Sequence, residues 1–304
     1  MRPFPCYFAA MVIRQVRIGV VALVLATAGA GCGNVNALLE QLSEARGLSA
    51  NLLVHFTKAA DAANRAVMAD TDEASVAFAR EAEQQTAAAQ KDADALGPML
   101  QGLGYTNETR LLNEFVIRFA EYRELDRRIL DLAVENTNLK AQRLSFGPAQ
   151  EAADTFRDAL KAVAPADPAK DRWRVEALVA TAVETVREIQ VLQAPHIADA
   201  DEAVMTRMEK RMATSETSAR NALRTLATLV QPASRARLAD ASAALDQFVG
   251  LNAQIIALSR RNTNVRSLAL SLDQKRTLIT ACEESLHALH DALAKRGYTG
   301  TRNK

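Results

Sequence analysis

The sequence predicts an all-α protein built as two tandem antiparallel helical-bundle units, and three observations carry that prediction. Aromatic residues are 5% of the 304, and glycine (12) and proline (8) are sparse, which suits long helices far better than sheets. Apolar residues recur in steps of three and four, as Phe115, Phe119, Tyr122, Leu125, Ile129 and Leu132, and again as Leu245, Phe248, Leu251, Ile255 and Leu258. One helix cannot hide such a stripe by itself, so neighbouring helices are required. Finally, "ENTNLKAQRLS" at 135–145 and "RNTNVRSLALS" at 261–271 write Asn-Thr-Asn twice, 126 residues apart. At that separation Leu125, Ile129, Leu132, Leu144, Ser145 and Leu160 meet Leu251, Ile255, Leu258, Leu270, Ser271 and Leu286, and Tyr122 meets Phe248. A second anchor, "ADTDEA" at 69–74 and "ADADEA" at 198–203, is 129 residues apart, so a tandem duplication with one short length difference is expected. The loop "GLGYTNETR" at 102–110 is the natural place for that difference.

The N-terminus reads as an export signal. Arg14 and Arg17 precede an apolar run at 18–30 that ends in small residues, the order of a secretory signal spanning 1–31. "AGAGCGN" is also similar to a bacterial lipoprotein cleavage site, which makes Cys32 the candidate lipidated residue. Ordinary cleavage and a short uncleaved anchor are the alternatives. No second apolar segment of membrane length follows, so the rest is expected on the periplasmic face, lipid-anchored to a bacterial membrane.

The first unit is expected over 34–163 and the second over 168–297, joined by "APADP" and followed by a polar tail at 298–304. Pro165 blocks helix continuation, and Asp167-Pro168 reads as an N-cap followed by proline in the first turn. Within the first unit the expected helices are 35–69, 72–99, 108–143 and 148–163, the last break set by Gly147-Pro148. The second unit's helices are expected at 168–197, 201–231, 233–270 and 273–297. Its final break is weaker, because "SLDQKR" holds neither glycine nor proline, so one elongated bundle of two long hairpins is the rival architecture.

This order of elements resembles the four-helix-bundle sensory module of bacterial methyl-accepting chemotaxis receptors. The resemblance rests on the acidic turns "MADTDEA" and "IADADEA", the third-helix runs "YRELDRRILDLAVEN" and "FVGLNAQIIALSRRN", and the stretches "LKAQRLS" and "VRSLALS" that lead onward. It covers both units and implies a sensor-like bundle of a kind that pairs as a homodimer, a pairing that the duplication could supply within one chain, with unit 1 acting as partner to unit 2. The receptor's second membrane helix, linker domain and signalling hairpin have no counterpart, so the resemblance implies the sensory part alone. Aspartate-binding members of that family use arginines late in the first helix; Arg65 is the residue at a comparable place, and the second copy has Ala194 there.

The candidate binding residues are therefore Asn136, Asn138, Asn262, Asn264 and Arg65. Asn136 and Asn262 follow Ile129 and Ile255 by seven residues and fall on the core-facing stripe. Buried amides there either cap or bend the third helix and fix its register, or line a polar pocket for a small ligand. His287 and His290 share a helix face without a third ligand at helical spacing, so no metal is expected. Arg260, Arg261 and Arg266 read as a solvated face, and Cys282 as a core thiol. The sequence carries no glycine-rich phosphate loop, GxSxG, HExxH or CxxCH, which argues against an enzyme and against a cofactor. With 37 basic and 36 acidic residues, nothing favours nucleic acid. The partners expected instead are the membrane, a small solute, and a receptor or envelope protein.

Overall fold

The computed structural model describes the backbone of residues 8–166 and 168–296, and the side chains of residues 37–166 and 169–296. The side chains of the export signal and of Cys32 lie outside what is described, as do Asp167 and the polar tail. The fold is all-α: no strand occurs among the described residues, and a single isolated bridge joins Pro165 to Val230. Helices run as α1 (Phe8–Met68), α2 (Asp72–Gly102), α3 (Thr106–Glu135), α4 (Thr137–Leu144) and α5 (Gln150–Lys161). The second copy repeats them as α6 (Pro168–Ala198), α7 (Glu202–Leu229), α8 (Arg235–Arg261), α9 (Thr263–Leu270) and α10 (Arg276–Lys295). Among the described residues, no helix is long and apolar enough to cross a membrane.

The acidic turns start helices as their sequence predicts, with a different cap in each copy. The Asp201 carboxylate accepts from the backbone N–H of Ala203 (2.7 Å) and Val204 (3.1 Å), which holds it below its ordinary pKa. In the first copy, Thr71 Oγ1 accepts from Ala74 N–H at 3.1 Å instead.

The break in the third helix falls earlier than Gly147-Pro148. Asn136 and Asn262 are the only non-glycine residues with positive φ among the described ones (49° and 54°), and each separates two helices. Asparagine tolerates this left-handed conformation better than most residues because its short amide can bond locally. Gly147-Pro148 is absorbed in a π-helical turn, Ser145–Ala149, whose flanking residues remain right-handed helical. A wider turn moves the proline ring away from the carbonyl it would otherwise strike. The second copy makes the same turn at Ser271–Lys275 without proline, so its cause is the shared packing rather than Pro148.

Burial also relocates the length difference between the copies. Buried positions 79, 82, 89, 93, 96 and 100 recur at 205, 208, 215, 219, 222 and 226, already at a separation of 126. The three extra residues therefore lie near the start of α2, where they add a little less than one turn, and not in the "GLGYTNETR" loop.

Two compact units form, and each draws on both sequence copies. Unit 1 comprises α1 up to Ala59, residues 83–121 of α2 and α3, and residues 278 onward, which include most of α10. Phe56, Phe115 and Phe119 make its aromatic centre, with ring centroids 5.0–5.9 Å apart. Helix α10 is tied in by its backbone carbonyls. Arg46 donates to Leu293 O (3.1 Å) and Ala294 O (3.0 Å), and Arg118 to Ala281 O (2.8 Å) and Ser285 Oγ (2.6 Å). Unit 2 comprises residues 60–82 and 122–277. In its core, Phe156 and Leu160 of α5 pack with Val186 and Ile189 of α6, Met212 and Leu226 of α7, and Leu245 and Phe248 of α8. The fourth helix of each sequence copy is thus housed with the other copy's first three. Copies are a property of the sequence, and the compact units cut across them.

Candidate functional site

The two Asn-Thr-Asn segments meet inside unit 2 about a local two-fold axis. Thr137 N–H donates to Thr263 Oγ1 (3.1 Å), and Thr263 N–H returns the bond to Thr137 Oγ1 (3.2 Å). Asn138 N–H donates to Asn264 Oδ1 (3.2 Å), and Asn264 N–H to Asn138 Oδ1 (3.1 Å). The side-chain amides cross as well: Asn138 Nδ2 donates to Asn262 Oδ1, and Asn264 Nδ2 to Asn136 Oδ1, both at 2.8 Å. Left-handed backbone at Asn136 and Asn262 presents the following N–H groups outward, and each asparagine carbonyl still opens the next helix by accepting from Lys140 or Arg266 (both 3.0 Å). The structure therefore brings four of the five candidate residues together as a hydrogen-bonded clasp, whose polar atoms bond to one another.

The symmetry of the clasp is incomplete. Asn138 Nδ2 also donates to Ile197 O (2.6 Å), and Asn262 Nδ2 donates to Asp199 O (2.7 Å). The corresponding Asn136 Nδ2 is buried without a partner. Just outside, Glu135 and Arg261, which occupy equivalent positions in the two copies, form an ion pair at 2.8 Å.

Arg65 belongs to a different cluster. Its guanidinium pairs with Asp61 (3.1 Å) and Glu81 (2.9 Å) and lies 4.5 Å from the Phe78 ring centre. Its charge is thereby matched within the protein.

Two buried polar arrays in unit 2 had no reading from the sequence. The first is a chain through His196, which is fully buried. His196 Nδ1 lies 2.8 Å from Ser259 Oγ, Nε2 lies 2.9 Å from Glu209 Oε1, and Arg260 grips the same carboxylate through Nε (2.6 Å) and Nη2 (2.9 Å). The Arg260 guanidinium holds Glu209 below its ordinary pKa, and His196 adds to the effect. Serine, histidine and glutamate in sequence suggest a nucleophile, but Ser259 is 0% exposed and lies 2.7 Å from the His196 backbone carbonyl, to which it donates. With its hydroxyl buried and committed in this way, Ser259 takes part in an array that joins α6, α7 and α8. Arg260, expected on a solvated face, is half-buried in this array, and Arg261 is committed to Glu135.

The second is Lys275, at the end of the second π-turn and 0% exposed, with Nζ 2.7 Å from Asp126 Oδ1 and 5.7 Å from the Tyr122 ring centre. Burial pushes its pKa down against the opposing pull of Asp126. At the equivalent place in the other half, Ser145 Oγ donates to Gln193 Oε1 (2.7 Å), and Gln193 Nε2 to Asn252 Oδ1 (2.9 Å). Asp126 and Asn252 are the same repeat position. The signal was available, since 122, 126, 129, 133 and 136 and their counterparts share one stripe.

Cys282 is buried, and burial pushes its thiol up to about 12. His287 is exposed and His290 half-buried, and no group of residues suited to a metal ion occurs among the described ones. Among the described residues, several open concavities are helix-to-helix grooves. One of about 420 Å³ between α5 and α6 is lined by Asp154, Arg157 and Gln190 among others. Another, of about 630 Å³ between α3 and α10 in unit 1, contains the Glu108–Arg296 pair (2.8 Å). A third, between α7 and α8, is lined by arginines and apolar side chains. No protein-family model, curated protein or solved structure matches the chain.

Proposed function

We propose that the chain is a non-enzymatic, exported and membrane-tethered sensor-type protein, a chemoreceptor-like bundle whose two copies act as each other's partner and which binds a small solute. The observation that carries this reading is the reciprocal bonding of Thr137 with Thr263 and Asn138 with Asn264. Two sequence copies joined about a two-fold axis are what a receptor pair of such modules would become if fused. The imidazole and hydroxyl of the first polar array, His196 and Ser259, and the ammonium of the second, Lys275, are all buried, which favours a binding role over catalysis.

The test is thermal unfolding of the full chain with a panel of amino and organic acids. A solute that binds the native state raises the melting temperature as its concentration passes the dissociation constant, by about 2.7 kcal/mol of stability at a hundredfold excess over it. Cys32→Ser should release the protein from the membrane fraction, and retention would remove the lipid anchor from the proposal. A second reading, an envelope-interaction protein, draws on Phe146 (71% exposed) and Leu272 (62%), apolar side chains at equivalent places in the two π-turns. No thermal shift with any solute, together with capture of an envelope protein through Phe146 and Leu272, would favour it.

A further inference from the structure

The three grooves differ in how their charges are matched. Between α5 and α6, Arg157 is paired with Asp154 at 2.6 Å; between α3 and α10, Glu108 takes Arg296. Between α7 and α8 of unit 2, two adjoining sections of about 400 and 410 Å³ share Leu223, Arg224 and Ser242 and have no carboxylate in their lining. Buried Leu223 and Leu238 make the floor, and Ala227 and Ala239 leave the walls low. Arg220, at one end, is neutralised by Glu216 (2.8 Å) and Asp246 (2.7 Å). The Arg224 guanidinium instead donates only to the neutral amide of Asn221, and the Arg235 guanidinium has no ion pair or hydrogen bond among the described residues. Two uncompensated guanidinium groups thus flank an apolar trough of ligand size.

The groove is not a by-product of the repeat. At a separation of 126, Pro98 and Thr109 stand where the second copy has Arg224 and Arg235. Only the second copy has cations at these two positions.

We propose that the α7–α8 groove binds a small organic anion, a carboxylate on a short apolar chain, with Arg224 and Arg235 taking the carboxylate and Leu223 and Leu238 the chain. Guanidinium forks match a carboxylate in plane and in hydrogen-bond spacing. An apolar tail covers floor that water otherwise wets. The proposal rests on the solute-binding reading above and names the class of solute and where it sits.

Titration calorimetry on the full chain tests it, with hexanoate as probe and hexanol, hexylammonium and inorganic phosphate as controls. Hexanoate should bind about tenfold or more tightly than any control, weaken with salt, and lose about tenfold on either Arg224→Gln or Arg235→Gln. Both arginines are exposed, so the unliganded variants should melt with the wild type, and Arg157→Gln in the α5–α6 groove should bind hexanoate normally. Hexanoate binding that ignores both substitutions would move the site elsewhere, and equal affinity for hexanol would remove the anion; each overturns this proposal alone. If hexanoate fails while another solute raises the melting temperature, the solute class is wrong but the sensor reading stands. Failure of every solute removes both.

Discussion

Asparagine at 136 and 262 combines two properties: it accepts left-handed backbone, and its amide bonds across to the other copy. Alanine retains neither. Asn262→Ala should cost about 2–3 kcal/mol, the sum of the left-handed penalty and of lost hydrogen bonds to buried groups. Asn136→Ala should cost less, since its Nδ2 already lacks a partner, and glycine at either place should recover the backbone part. Urea unfolding decides the order, and equal losses at both sites would contradict the asymmetry of the clasp. Cys282 supplies a second residue-scale prediction. A buried thiol pushed up to about 12 should resist alkylation in the native protein at pH 8 and react at once in denaturant. Rapid native labelling would mean that α10 opens readily. The importance of Asn-Thr-Asn was visible in the sequence because the chain writes it twice. That its amides would bond to each other, rather than line a pocket, was not visible, because this depends on which helix ends face one another.

At the scale of the helices, most boundaries follow from local chemistry. Acidic first turns, the proline that opens α6 and Gly104 after α2, with its positive φ, each act where their stereochemistry says they should. The π-turns are the exception. Gly147-Pro148 reads as a break, yet the helix runs on and Asn136 takes the bend, because tertiary packing rather than proline sets the geometry in both copies. Polar residues on the apolar stripe, Asp126, Asn252 and Ser259, were readable as positions but not as partners, since Lys275, Gln193 and His196 come from distant helices. One inter-helix contact gives a pH prediction. The Arg296 guanidinium, hydrogen-bonded to Glu108, holds that carboxyl below its ordinary pKa despite burial. A depressed carboxylate stabilises the fold above its unfolded pKa, about 4.3, and that contribution is lost as pH falls through the lower folded value. Glu108→Gln should therefore flatten the acid side of the stability profile below about pH 4.3, a comparison made by melting across pH. An unchanged acid limb would mean that the α3–α10 contact contributes little.

For the molecule as a whole, the decisive feature is that the fourth helix of each copy is lodged among the first three of the other. Helical class, copy number and helix order were all legible from periodicity and repetition. The exchange was not, because both arrangements bury the same stripes and satisfy the same repeat. Cutting the chain within the 164–168 linker and expressing the two pieces together should yield a one-to-one complex that survives gel filtration, since each piece alone lacks the helix that closes its bundle. Two independently folded, separable pieces would rule the exchange out. The ion pair of Glu135 with Arg261 shows what joining the copies permits. Across a true dyad between identical subunits, glutamate would confront glutamate and arginine would confront arginine. Opposite signs at mirrored places become available once the two sides are free to differ in sequence, and they then favour the meeting of unlike halves over the meeting of like ones.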